Sequence, residues 1–176
     1  MSLTELLVSL AVLGTVLASV FTLLVQGQRA YAFGAARVEA QQNARIGLDR
    51  LAREIRQAGS GRPGATFAAI SVAEASRIVL HRDLDEDGVV AAPNETITWL
   101  VSGRVLRRNA GGGAQPVVEG VRDLRFVYLD AAGVPTSVAA DVRTVVIVLI
   151  TEARNPTVQG SSAVTTVRTQ VRLRNR

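Results

Sequence analysis

The densest chemistry in the chain lies in six consecutive residues, Asp83-Leu84-Asp85-Glu86-Asp87-Gly88. Carboxylates at alternate positions can converge on one hard cation, and the glycine permits the sharp turn between them. The pattern is the opening of a calcium loop of the EF-hand kind, in which the backbone carbonyl of Val89 would be the next ligand. It then departs from type. The last ligand position falls on Asn94, and the bidentate acid expected there comes one place late, as Glu95. The candidate ligand set for Ca2+ is therefore Asp83, Asp85, Asp87, Val89, Asn94 and Glu95, with an affinity roughly in the sub-millimolar to millimolar range of extracellular modules. The same residues also read as a solvated acidic loop between Leu80 and Ile97. Both readings stand at this point.

A second carboxylate is out of place for a different reason. Glu5 sits one turn inside the N-terminus, at the mouth of a charge-free run, Leu6 to Val25. Twenty residues at about 1.5 Å rise span about 30 Å, the thickness of a bilayer core. A carboxylate at that depth costs about 2.5–3.5 kcal/mol and calls for a cationic partner. No Lys or Arg follows Glu5 before Arg29. The nearest cation is the α-amino group of Met1, and the more useful one is the α-amino group of a neighbouring subunit. Such a pair would set the axial register between packed helices. A solvated interfacial glutamate is the alternative.

Charge placement adds an expectation. No Lys or Arg precedes the apolar run, whereas Arg29 and Arg37 follow it. By the positive-inside rule the chain should insert backwards. A basic leader removed before Met1 resolves this. A secretory signal cut at Ala30-Tyr31-Ala32 is disfavoured by the missing basic n-region, the overlong apolar stretch and the helical pattern that continues past it.

Other chemistry is thinly provided. With no cysteine, neither a disulfide nor a thiolate metal site can form. The lone histidine, His81, reads as a strand-end residue. The serines show no nucleophile elbow, and there is no phosphate loop or metal-binding histidine pair. No enzyme activity is expected. The net charge is +5, and all of its basic side chains are arginines. They are dispersed and aromatics amount to 4%, too few to stack bases, so a nucleic-acid partner is not expected.

The elements that position these groups follow from periodicity. Ser9, Thr15, Ser19 and Thr22 are too weakly polar to make a polar stripe and can bond back to their own helix carbonyls. Ala44, Leu48, Leu51, Ile55 and Ala58 continue at helical spacing. Arg45–Asp49, Asp49–Arg53 and Arg50–Glu54 are i,i+4 pairs on the exposed faces. Gly59 and Ser60-Gly61-Arg62-Pro63-Gly64 end the helix. One helix of about 57 residues and about 85 Å is expected. Beyond Thr66 the pattern turns to strands near Phe67–Ser71, Arg77–His81, Glu95–Val101, Arg104–Arg108, Leu124–Leu129, Thr144–Thr151 and Val164–Leu173. Ser102-Gly103 marks a tight hairpin. Val145–Ile150 suits a central strand covered on both faces. The last strand places Val167, Thr169, Val171 and Leu173 on one face and Arg168, Gln170, Arg172 and Arg174 on the other. The fold class expected is α+β: a long N-terminal helix packed on an antiparallel β-sheet head. Residues 1–25 are its transmembrane and assembly part, 26–59 its continuation outside the membrane, and 60–176 the head.

MSLTELLVSLAVLG, with Met1 followed by Glu5 and a charge-free run, resembles the mature N-terminus of type IV pilins and type II secretion pseudopilins. The departures are Met1 in place of the commoner phenylalanine and Thr22 where many major pilins carry a kinking proline; any loosening would then fall at Gly14. The order ARIGLDRLAREIRQAG, ETITWLVSGRVLRRN, GVRDLRFVYLDAAG and VRLRNR resembles PilW-type minor pilins and J-type minor pseudopilins, over nearly the whole chain. The resemblance implies a leader cut by a prepilin peptidase, N-methylation of Met1, and Glu5 paired with a neighbouring subunit's N-terminus. It implies a bacterial inner-membrane protein, held in lipid with its head outside the cytoplasm. That protein then joins major and minor pilins in a pilus near its tip, where it helps to prime assembly. A secretion pseudopilus, or an adhesion or DNA-uptake tip module, is the alternative.

Overall fold

The computed structural model describes residues 2–154 and 162–175. One helix, α1 (Leu3–Gln57), precedes eight strands: β1 (Ile70–Ala73), β2 (Arg77–His81), β3 (Thr96–Ser102), β4 (Val105–Asn109), β5 (Ala114–Val118), β6 (Val121–Leu129), β7 (Thr144–Arg154) and β8 (Ser162–Arg172). A 3-10 turn, Ala139–Asp141, lies between β6 and β7. The α+β class with a long N-terminal helix packed on antiparallel sheet is the observed one. The head has two sheets where one was expected: a five-stranded meander β1-β2-β3-β4-β5 and a three-stranded sheet β6-β7-β8.

α1 begins at Ser2, whose extended backbone and hydroxyl cap the first turn, and runs unbroken through Gly14 and Thr22. Its hydroxyls bond back as expected: Ser9 Oγ donates to Glu5 O (2.8 Å), Thr15 to Val12 O (2.8 Å), Ser19 to Val16 O (2.7 Å) and Thr22 to Ala18 O (2.8 Å). Each hydroxyl thus satisfies itself within the helix and needs no water. At 55 residues the helix is about 80 Å long. Ala58 is the C-cap, and the chain turns away at Gly59, whose φ of 78° is costly for a residue bearing a Cβ. Gly59 N donates to His81 O (2.8 Å), which joins the helix end to β2.

The helical stripe is confirmed residue by residue: Ala44, Leu48, Leu51, Ile55 and Ala58 are all buried. They share one core with Ile97, Trp99 and Leu106 of the first sheet and Leu124, Val145, Ile147 and Leu149 of the second. Both sheets are therefore held by the same helix face. Gly47 sits where α1 comes closest to β5; a Cβ there would stand 2.2 Å from Val118 Cγ2. Of the three expected i,i+4 pairs, Arg50–Glu54 forms at 3.8 Å; Arg45–Asp49 and Asp49–Arg53 are not within ion-pair distance.

The strands depart from expectation where local rules compete. β5 is absent from the expected strands; Pro116 sits in its middle and lacks an N–H for a ladder. It survives as an edge strand, with its register shifted where Leu106 gives way to Arg107. The β3–β4 turn is Gly103-Arg104, both at positive φ (59° and 62°), so Arg104 belongs to the turn and not to β4. β1 forms later than expected, at Ile70, with a bulge before Val72. β7 is central in its sheet, but its two faces differ. Val145, Ile147 and Leu149 are fully buried; on the other face Val146 is buried, while Val148 and Ile150 are half-buried. In β8, Arg168, Gln170 and Arg172 are exposed while Val171 is buried, as the alternation requires.

Candidate functional site

Two groups of residues carry the expected chemistry, at opposite ends of α1. The first is the N-terminal segment. No described residue before Ala44 is buried within the chain. An 18-residue window of this helix has a mean hydropathy of 2.4 and none of it is buried, so α1 is long and apolar enough to cross a membrane. Leu3, Phe21 and Leu23 are 79%, 67% and 69% exposed. Glu5 does local work here. Ser2 N donates to Glu5 Oε2 (2.9 Å) while Glu5 N donates to Ser2 Oγ (3.3 Å), which closes a capping box. One carboxylate oxygen is thus tied to the first turn, where a negative charge is also favoured by the helix dipole. Met1, expected as the processed N-terminus and the cationic partner of Glu5, lies outside the described residues.

The second group is the loop between β2 and β3. It is docked on the end of α1: Asp83 N donates to Ser60 O (2.8 Å), and Asp83 is 3% exposed. Gly61 passes so close that a Cβ would stand 2.5 Å from Asp83 Cβ. Asp83 Oδ2 accepts from Arg62 N (3.2 Å) and Gly88 N (3.1 Å). Asp85 Oδ1 accepts from Asp87 N (3.3 Å), and Asp87 Oδ1 from Val89 N (2.7 Å). Gly88 takes φ 86°, the left-handed turn the motif calls for. One carboxylate oxygen from each of Asp83, Asp85 and Asp87 lies within 4.8 Å of the others. The three leading members of the expected ligand set are therefore brought together.

Of the remaining three, Glu95 is engaged elsewhere, and Asn94 and Val89 are held by backbone hydrogen bonds of the loop. Glu95 is 1% exposed and its carboxylate is occupied by backbone: Oε1 accepts from Leu84 N (2.8 Å), Oε2 from Ala91 N (2.9 Å) and Ala92 N (2.7 Å). It shapes the loop from behind. Asn94, at φ 70°, donates its N–H to Ala110 O (3.1 Å), and its carbonyl accepts from Arg82 Nε (3.1 Å). Val89 contributes its N–H to Asp87, as above, and its side chain is exposed.

The electrostatics follow the hydrogen bonds. Desolvation raises the pKa of Asp83, but the amides of Arg62 and Gly88 lead the hydrogen bonds that outweigh it and hold the group below the ordinary value. The Leu84 amide leads in lowering Glu95, against desolvation and with the Ala92 and Ala91 amides adding to it. For Asp85 the balance is reversed. The Asp87 amide pulls it down, yet desolvation and the charges of Asp87, Glu95 and Asp83 prevail and raise it.

His81 closes β2, hydrogen-bonded through Nδ1 to Thr96 Oγ1 (3.0 Å) and through Nε2 to Ser71 Oγ (2.7 Å). Burial lowers its pKa, which favours the neutral ring between two hydroxyls.

One buried polar cluster was missed in the sequence. Glu54, read there as an exposed partner of Arg50, is buried. Its Oε2 accepts from Trp99 Nε1 (2.6 Å) and its Oε1 from Arg108 Nε (2.7 Å). The available signal was position alone: Glu54 stands three residues after Leu51, on the border of the apolar stripe.

No family model and no curated protein sequence matches the chain.

Proposed function

We propose that the chain is a minor subunit of a type IV pilus, anchored and assembled through α1. The single observation behind this reading is the division of the helix. From Ala44 onward it is built into the head, whereas its apolar first half has no cover among the described residues. A charge-free helix of bilayer length must be covered by lipid or by other apolar helices. A filament subunit meets both in turn: the inner-membrane lipid first, then the helices of major and minor pilins. Glu5 then serves twice, as the cap of its own first turn and as the counter-charge to a neighbouring subunit's N-terminus. The expected processing by a prepilin peptidase and methylation of Met1 belong to the same reading.

Substitution at Glu5 separates these two roles. Glutamine serves in a capping box as glutamate does, so Glu5→Gln keeps the cap and removes the charge. In the native host, Glu5→Gln and Glu5→Ala should both leave the chain in the membrane fraction and reduce its incorporation into sheared filaments about tenfold or more, the effect of losing about 1.4 kcal/mol or more of pairing energy. Normal incorporation of Glu5→Gln would show that the residue is a cap and nothing more.

A further inference from the structure

We propose that Asp83, Asp85 and Asp87 bind one calcium ion, with Asp83 Oδ1 as its innermost ligand, and that the ion fastens the β2–β3 loop to the end of α1. Convergent aspartates alone do not make a site, and the deciding observation is Asp83 Oδ1. Its partner oxygen Oδ2 is satisfied by two amides, yet Oδ1 is buried with no hydrogen-bond donor. A buried acceptor left without a donor is costly, and a cation supplies what is missing. No arginine does so, since the ion pairs among the described residues involve Glu54 and Glu152. The other two oxygens needed come from Asp85 and Asp87, both exposed, so solvent and backbone carbonyls can complete a shell of six to eight oxygens.

The hard oxygen donors and the partly open site, with no octahedral cage of protein ligands, favour calcium over magnesium, which demands near-ideal octahedral geometry and gives up its water reluctantly. Glu95 is outside the ligand set, because its oxygens hold three amides. The ion would act on the helix–head junction, since Asp83 also bonds Ser60 and Arg62 directly after α1.

The site is testable without any filament. The full chain, purified in detergent and stripped with chelator, is titrated calorimetrically with calcium chloride, and its melting is followed with and without calcium. Binding in the range of about 0.1–1 mM is expected. Calcium at tenfold over Kd should raise Tm by about 3–6 °C. The double variant Asp85→Asn/Asp87→Asn alters exposed side chains, so it should fold, with its melting at zero calcium within about 2 °C of the parent, and lose both the binding heat and the shift. Magnesium at the same concentration should give less than half of the shift. The proposal is overturned if calcium produces neither heat nor shift, if the double variant responds as the parent does, or if magnesium reproduces the full effect.

Discussion

At the scale of single residues, the side chain with most depending on it is Glu54. One carboxylate receives the Trp99 indole N–H and the Arg108 guanidinium in the core, with Arg50 at its outer edge. Removing it would leave a buried donor and a half-buried cation unpaired, which is worse than never having buried them. Glu54→Ala should lower unfolding stability by about 3 kcal/mol in denaturant titration, and a loss under about 1 kcal/mol would contradict this role at the junction. Sequence spacing exposed the Glu54–Arg50 pair because it lies within one helical turn. Trp99 and Arg108 are 45 and 54 residues away, beyond the reach of periodicity. The acidic loop divides in the same way. Asp83, Asp85, Asp87 and Gly88 were legible because the motif is local. The capture of Glu95 by three amides was not, because it depends on the path taken by residues 91–94 before β3.

At the scale of elements, α1 was the most legible part of the chain, since its charge-free run and the stripe from Ala44 to Ala58 are both long and regular. β5 was the least legible: Pro116 argues against a strand, and only an edge position, a tertiary property, tolerates it. The division of the head into two sheets was equally hidden, because no strand records locally which neighbour it will pair with. The stretches of α1 before and after Ala44 predict opposite responses to one substitution. Gly47→Ala places a Cβ against the stiff Val118 side chain. It should cost about 1–3 kcal/mol of overpacking, more than the roughly 1 kcal/mol gained in helix propensity. A Cβ at Gly34 would meet nothing within 4 Å, so Gly34→Ala should leave the melting of the head unchanged or raise it slightly. Melting curves of the two variants in detergent test this, and equal destabilisation would contradict the division of the helix.

At the scale of the whole molecule, the central question is where the exposed half of α1 finds its cover. The core of the head is complete without it: both sheets close on Leu48, Leu51 and Ile55, and the C-terminal segment returns to the helix end, where Asn175 Nδ2 reaches Ala58 O (3.4 Å). The first half is left exposed, and under the proposed function its cover is lipid first and subunit helices afterwards. Because the chain has no cysteine, each introduced cysteine is a unique probe of that environment. Single cysteines at Leu10, Val16 and Leu24 can be treated with a short bis-maleimide in sheared, purified filaments, with a cysteine at exposed Arg168 on the head as the control. Assembly through α1 predicts adducts between this chain and other filament subunits from the helix positions, and markedly fewer from position 168. Absence of the chain from the filament fraction, with no adduct from any helix position, would contradict it.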